Sequence, residues 1–157
     1  MNSAISRLNQ LLTNGEVYLN ATHRQKLAAK PKPTQWSKKE ILGHLIDSAR
    51  YNLRRFSEIH IKPSPYQIID YEQDDLVLIN GYQRAEPKDL IMLWVGLNRQ
   101  IIHIIKQQNE KTLQIQAKLP NQKTTNLLFL IVYILNTVFV VFSTRCFRHS
   151  SLICFFT

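Results

Sequence analysis

The chain has 157 residues, 20 Lys and Arg against 11 Asp and Glu, a formal charge of +9, and 45% hydrophobic residues. That length supports one domain with a real core, and no repeat or low-complexity linker divides it. The charge invites a nucleic-acid reading, but its distribution excludes a basic binding face. Residues 1–110 hold fifteen basic and eleven acidic groups, a net of +4, and the remainder holds five basic groups and no acid. No nucleic-acid motif accompanies it.

The start, MNSAISRLNQ, has no apolar signal region. Cys146 and Cys154 match no zinc or redox spacing. The expected compartment is the cytoplasm. Ser3 to about Ala29 reads as one long helix carried by Ile5, Leu8, Leu11, Leu12, Val17, Leu19 and Leu27, with Asn14-Gly15 as a turn signal within it. His23 reads as a solvated residue.

Pro31 and Pro33 hold the next segment extended. Ser37 and Glu40 then have the S-x-x-E spacing of a capping box, and Trp36 and Ile41 that of a hydrophobic staple. A helix is therefore expected from Lys38 to about His60, ended by Lys62-Pro63-Ser64-Pro65. Its apolar face runs through Ile41, Leu45, Ser48 or Ala49, Asn52 or Leu53, and Phe56. Arg50, Arg54 and Arg55 read as its wet face, and His60 as a cation in its last turn. His44 lies beside the apolar face, with Asp47 at i+3. Two readings stand: a packed histidine whose neighbour holds its tautomer, or a metal ligand oriented by a neighbouring polar group.

Residues 66–86 form a long connection, read as a surface loop pinned by Tyr66, Tyr71 and Tyr82, with Asp74 and Asp75 capping a short helical turn. Pro87 opens a third helix that keeps apolar period through Leu90, Leu93, Trp94, Leu97, Ile101, Ile104 and Ile105 to about Gln108. His103, among isoleucines, reads as a half-buried, hydrogen-bonded histidine. Asn109 to Thr125 is a polar connector.

The run Trp36–Phe56, WSKKEILGHLIDSARYNLRRF, resembles the second helix of the DinB/YfiT-like superfamily of bacterial four-helix bundles that hold a metal through histidines. The resemblance extends over about residues 3–132. It includes the Tyr66/Tyr71/Asp74/Asp75/Tyr82 segment, with Leu76 where the family often has Trp, and the stretch Leu93-Trp94-Val95-Gly96-Leu97-Asn98-Arg99. It implies an all-α, up-down-down-up four-helix bundle with a long loop between the second and third helices. It also implies a divalent metal, zinc or nickel, with His44 as the first ligand. The expected chemistry is that of a metal-dependent thiol S-transferase or hydrolase acting on a small thiol or other small molecule, and a homodimer is an open expectation. Asp47, Asn52 and Tyr82 are candidates for orienting the ligand or lining the pocket. No catalytic residue is assigned.

The resemblance fails where the fourth helix should begin, near Thr124. The family continues with Asp-Tyr and then histidines a turn apart; this chain reads YILNTVFVVFSTRCFRHSSLICFFT from Tyr133, with no histidine until His149. Read from the third base of the Val132 codon, and with TTR for Leu135, the codons for Tyr133 to Val138 permit Leu-His-Ile-Glu-His-Arg, which restores a His-x-x-His run. A frameshift near Val132–Tyr133 is the expectation, with a bundle over 1–145 and an aberrant tail over 146–157. Metal should then not be tightly held, since one imidazole is too few. The competing expectation is a membrane or scaffold protein anchored by 124–144, an uncharged apolar run of about the 20 residues a spanning helix needs. Under either, the segment is expected to pack as a fourth helix in the monomer.

Overall fold

The computed structural model describes residues 2–143. Four long helices, α1 (Asn2–Ala21), α3 (Lys38–Glu58), α5 (Pro87–Lys106) and α7 (Leu127–Ser143), make the bundle. Three short helices, α2 (Arg24–Ala28), α4 (Gln73–Ile79) and α6 (Glu110–Leu113), lie in the connections. So do a 3₁₀ turn (Tyr82–Arg84) and the strands β1 (Tyr66–Gln67), β2 (Gln116–Lys118) and β3 (Thr124–Asn126). One apolar core runs from Ile5 and Leu8 through Ile46, Phe56, Trp94 and Ile105 to Ile131.

The first helix passes through a buried Gly15 without a break, but it stops at Ala21 rather than Ala29. The Thr22 hydroxyl donates back to the Tyr18 carbonyl (2.7 Å), and His23 turns extended (φ −59°, ψ 138°). The His23 ring then accepts from the Gln25 N–H and starts α2, which buries Leu27. Val17 and Leu93, both in the expected apolar sets, are exposed at 64% and 39%.

α3 begins as its sequence dictates. The Glu40 N–H donates to Ser37 Oγ (3.2 Å) and the Ser37 N–H to Glu40 Oε2 (2.7 Å). These bonds satisfy donors that a helix start leaves open. Its end comes two residues before His60, because the His60 and Ile61 N–H groups bond to carbonyls three residues back. The chain must also leave α-geometry before Pro63. His60 is exposed in this turn, outside the helix.

α3 and α5 start at the same end. Ser37 Oγ donates to Gln83 Oε1 (2.6 Å), and Arg24 pairs with Glu86, just ahead of Pro87. The two helices are therefore parallel, and the long connection between them returns the chain along the bundle, as the up-down-down-up order requires.

The sheet is the part of the architecture that the sequence does not announce. β1 pairs parallel with β2 (Tyr66 opposite Ala117), and β2 antiparallel with β3 (Ala117 opposite Thr125). Strands of two or three residues carry no readable alternation. Their presence moves the start of the fourth helix from Thr124 to Leu127, where Asn126 Oδ1 accepts the Phe129 N–H (2.9 Å). α7 packs into the bundle through Leu127, Leu130, Ile131 and Leu135, as expected of it. No helix of the described residues is long and apolar enough to cross a membrane. The tail over 146–157, with Cys146, His149 and Cys154, lies outside the described residues.

Candidate functional site

α3 turns a polar stripe inward. Asp47 and Ser48 lie three and four residues after His44, Asn52 four after Ser48 and Arg55 three after Asn52, which places all five on one side of the helix. His44 is buried, and its ring lies 5.3 Å from that of Trp36 at 37°. Burial holds its pKa below the usual imidazole value, against the opposing pull of Asp47 and Asp74.

Asp47 is buried one turn further on. Its Oδ1 accepts from the Tyr82 hydroxyl (2.6 Å), Asn80 Nδ2 (3.0 Å) and an Arg50 N–H (3.4 Å). Its Oδ2 is buried without a hydrogen bond among the described residues. Burial, then the bond to Asp47, pushes the Tyr82 hydroxyl well above its ordinary pKa, so it stays a donor. Two glycines build this cluster. A Cβ on Gly43 would lie 2.0 Å from Tyr82 Cδ2, so only glycine admits the ring against α3. Gly81 takes φ +63° after α4, turning the chain between Asn80 and Tyr82.

Along the stripe, Asn52 donates to Ser48 Oγ (3.3 Å) and accepts from Arg55 (3.2 Å). Asn98 of α5, also buried, donates to the Trp94 carbonyl (2.8 Å). Ser48, Asn52 and Asn98 form the polar side of a small cavity between the helices, and Trp94, Ile134 and Leu135 part of its apolar side.

The connection over residues 66–86 straps the outside of this stripe, and tyrosines pin it. Tyr66 donates to Glu58 (2.9 Å), Tyr71 stacks on Tyr51 with centroids 4.1 Å apart, and Tyr82 holds Asp47. Asp74 and Asp75 sit in the first turn of α4, where their charge suits the dipole, but neither caps it; Glu72 stands at the cap without a side-chain bond.

The structure thus brings His44, Asp47 and Tyr82 into one cluster and sets Asn52 further along α3, on the cavity. The other described histidines take no part. His23 begins α2, and His103 is exposed, not half-buried, with its Nε2 2.6 Å from Gln107 Nε2. Arg50 and Arg54 are exposed as expected, but Arg55 is half-buried. Sequence reasoning missed Asn80, Asn98 and the inward turn of Arg55. The stripe spacing from His44 carries a signal for Arg55; nothing local marks Asn80. Among the described residues no three His, Cys, Asp or Glu side chains come together to hold a metal. The donors among the described residues therefore do not by themselves fit the divalent ion that the resemblance implies.

The parallel central pair of helices and the connection that straps α3 make a four-helix bundle of unusual topology. YfiT from Bacillus subtilis, described as a probable metal-dependent hydrolase with an unusual four-helix bundle topology, has this fold. It matches with a TM-score of 0.76 at 14% identity, covering 94% of this chain and 86% of YfiT. A mycothiol-dependent maleylpyruvate isomerase matches with a TM-score of 0.69 at 8% identity, over 88% of this chain but 57% of the isomerase. At such identities the likeness is one of fold. No protein-family model and no curated protein sequence matches the chain.

Proposed function

We propose that this chain comes from a lineage of divalent-metal-dependent enzymes of the hydrolase or thiol S-transferase type, and that the chain itself is catalytically impaired. The single observation that carries the reading is a mismatch across the bundle interior. α3 and α5 present Ser48, Asn52 and Asn98 to a cavity, with His44 one turn before Ser48, and α7 answers with Ile134 and Leu135. The hydrogen bonds of these groups run within α3 and α5, to Ser48, Arg55 and the Trp94 carbonyl, so the cavity has polar groups on one side and apolar side chains of α7 on the other. The neighbours' descriptions, a probable metal-dependent hydrolase and a mycothiol-dependent isomerase, support the lineage.

A shifted reading frame accounts for the mismatch. The alternative codons from Val132 onward permit two histidines one helical turn apart, at the level of α7 that faces the cavity. In the chain as written, one buried imidazole with one buried carboxylate is too small a donor set for a tight divalent site. Metal content of the purified chain tests the reading. After dialysis against a weak chelator, zinc and nickel should fall well below one ion per chain. A divalent ion retained one-to-one would overturn the impairment. Sequencing the gene across codons 128–145 tests the origin, and an alternative frame without histidines there would rule the frameshift out.

A further inference from the structure

α3 carries three arginines, and their surroundings run opposite to their burial. Arg50 and Arg54 are exposed, and each has a carboxylate: Asp47 at 3.4 Å and Glu58 at 2.9 Å. Arg55 is the half-buried one, and it forms no ion pair within 4.0 Å among the described residues. Its recorded acceptors are both neutral: Asn52 Oδ1 at 3.2 Å and the Ile69 carbonyl at 2.8 Å. A guanidinium has five N–H donors in a planar fork, so these two bonds leave donors over.

The walls around it are aromatic. Its Cζ lies 6.0 Å from the ring centroids of both Tyr51 and Tyr71. Asp70, the carboxylate in this part of the strap, uses its Oδ1 to accept the Tyr71 N–H (3.1 Å). Burial outweighs the help from Tyr71, Asp70, Tyr66 and Tyr51, and holds the Arg55 pKa below its usual value. A partly desolvated cation held in place by neutral acceptors and flat rings is organised to receive an anion from outside the chain. A solely structural pin would need no charge to bond Asn52 and a carbonyl.

We propose that Arg55, flanked by Tyr51 and Tyr71 under the strap, is the anchor of a binding site for a small oxyanion, a carboxylate or a phosphate. The fork offers the planar, two-point geometry that both groups fit. Asn52 links the anchor to the interior cavity, so an anion bound here lies beside the polar stripe of α3. The site goes beyond the metal question: it needs no metal and is the same whether or not the ancestral chemistry survives.

The test uses the full chain with ¹⁵N-labelled arginine. The Arg55 Nε–H signal, identified by its loss in Arg55→Lys, is followed during titration with sodium phosphate and, separately, sodium succinate, against sodium chloride at equal ionic strength. A saturable shift with phosphate or with succinate, absent with chloride, is the expected result, and whichever anion saturates at the lower concentration identifies the ligand's charged group. Calorimetry should show binding weakened at least about tenfold in Arg55→Lys, which keeps the charge but loses the fork, and unchanged in Arg54→Gln. Three results would each overturn the site: a shift that stays linear to the highest concentration, the same shift with chloride, or equal affinity in Arg55→Lys. Should Arg55→Lys fail to fold, calorimetry of the wild type with the same three salts decides the matter: heat that saturates with phosphate or succinate but not with chloride supports the site, and its absence overturns it.

Discussion

α3 and α7 touch across the bundle, and they are assembled from opposite chemistry. α3 has a signalled start, an inward polar stripe and a bonded role for most of its buried polar atoms. α7 has no charged residue from Leu127 to Ser143, and it exposes Phe129 and Val132 at 51% and 46% while burying Leu130 and Ile131. The lesson is that helix packing asks only for apolar side chains at the right spacing, and not for polar partners to the stripe that α7 faces. Leu127, Leu130, Ile131 and Leu135 recur at helical spacing, and that is enough to close a bundle whose other helices leave an apolar groove.

The largest effect that would break this contrast is at the α3 notch. Gly43→Ala should destabilise the protein by roughly 3 kcal/mol in chemical denaturation, since its methyl meets the Tyr82 ring and Tyr82 is held by Asp47. Gly96→Ala in α5 is the matched control: nothing lies within 4 Å of its Cβ, so it should stabilise by about 0.5–1 kcal/mol. Equal costs at the two glycines would mean that the strap does not seat on α3.

α7 is tested by the two faces of one turn. Ile131→Ala should cost about 3 kcal/mol, whereas Val132→Ala should stay within about 0.5 kcal/mol. A neutral Ile131→Ala would show that the apolar segment does not occupy the groove, and the contrast between the helices would then be one of folded against undocked.

The smallest effect sharpens the start of α3. Ser37→Ala should cost about 1 kcal/mol at neutral pH. Burial works to raise the Glu40 pKa, but the bonds from Lys30 and Ser37 prevail and hold it below the usual carboxylate value. As pH falls, the unfolded chain therefore takes up this proton before the folded one does. The contribution is complete above the ordinary glutamate pKa of about 4.3 and is lost as pH drops through the lower folded value. Thermal midpoints measured between neutral pH and about pH 3 should fall further in the wild type than in Glu40→Gln.

What could be read in advance follows from the range of the forces involved. The cap at Ser37, the start at Pro87 and the period of α5 are local, and each appears where the residues place it. Stops were harder. The end of α1 depends on Thr22 and His23 choosing a new cap, and the end of α3 on three-residue bonds near Pro63. The sheet depends on Tyr66 meeting Ala117 from fifty residues away, which no local pattern encodes. Of the candidate site, His44, Asp47 and Tyr82 could be named through resemblance. The Asn80 bond and the inward turn of Arg55 exist only once the strap has folded back over α3.

The small sheet couples segments that the backbone keeps far apart. β1 belongs to the α3–α5 crossover, and β2 and β3 to the link between α5 and α7, so each connection is hydrogen-bonded to the other. A protease nick in the crossover would leave its carboxyl-terminal portion tethered to α5 and its amino-terminal portion clasped by β2. The cleaved protein should migrate as two fragments under denaturation yet as a single particle in native buffer, which makes the crossover a natural place to divide the gene into two complementing pieces.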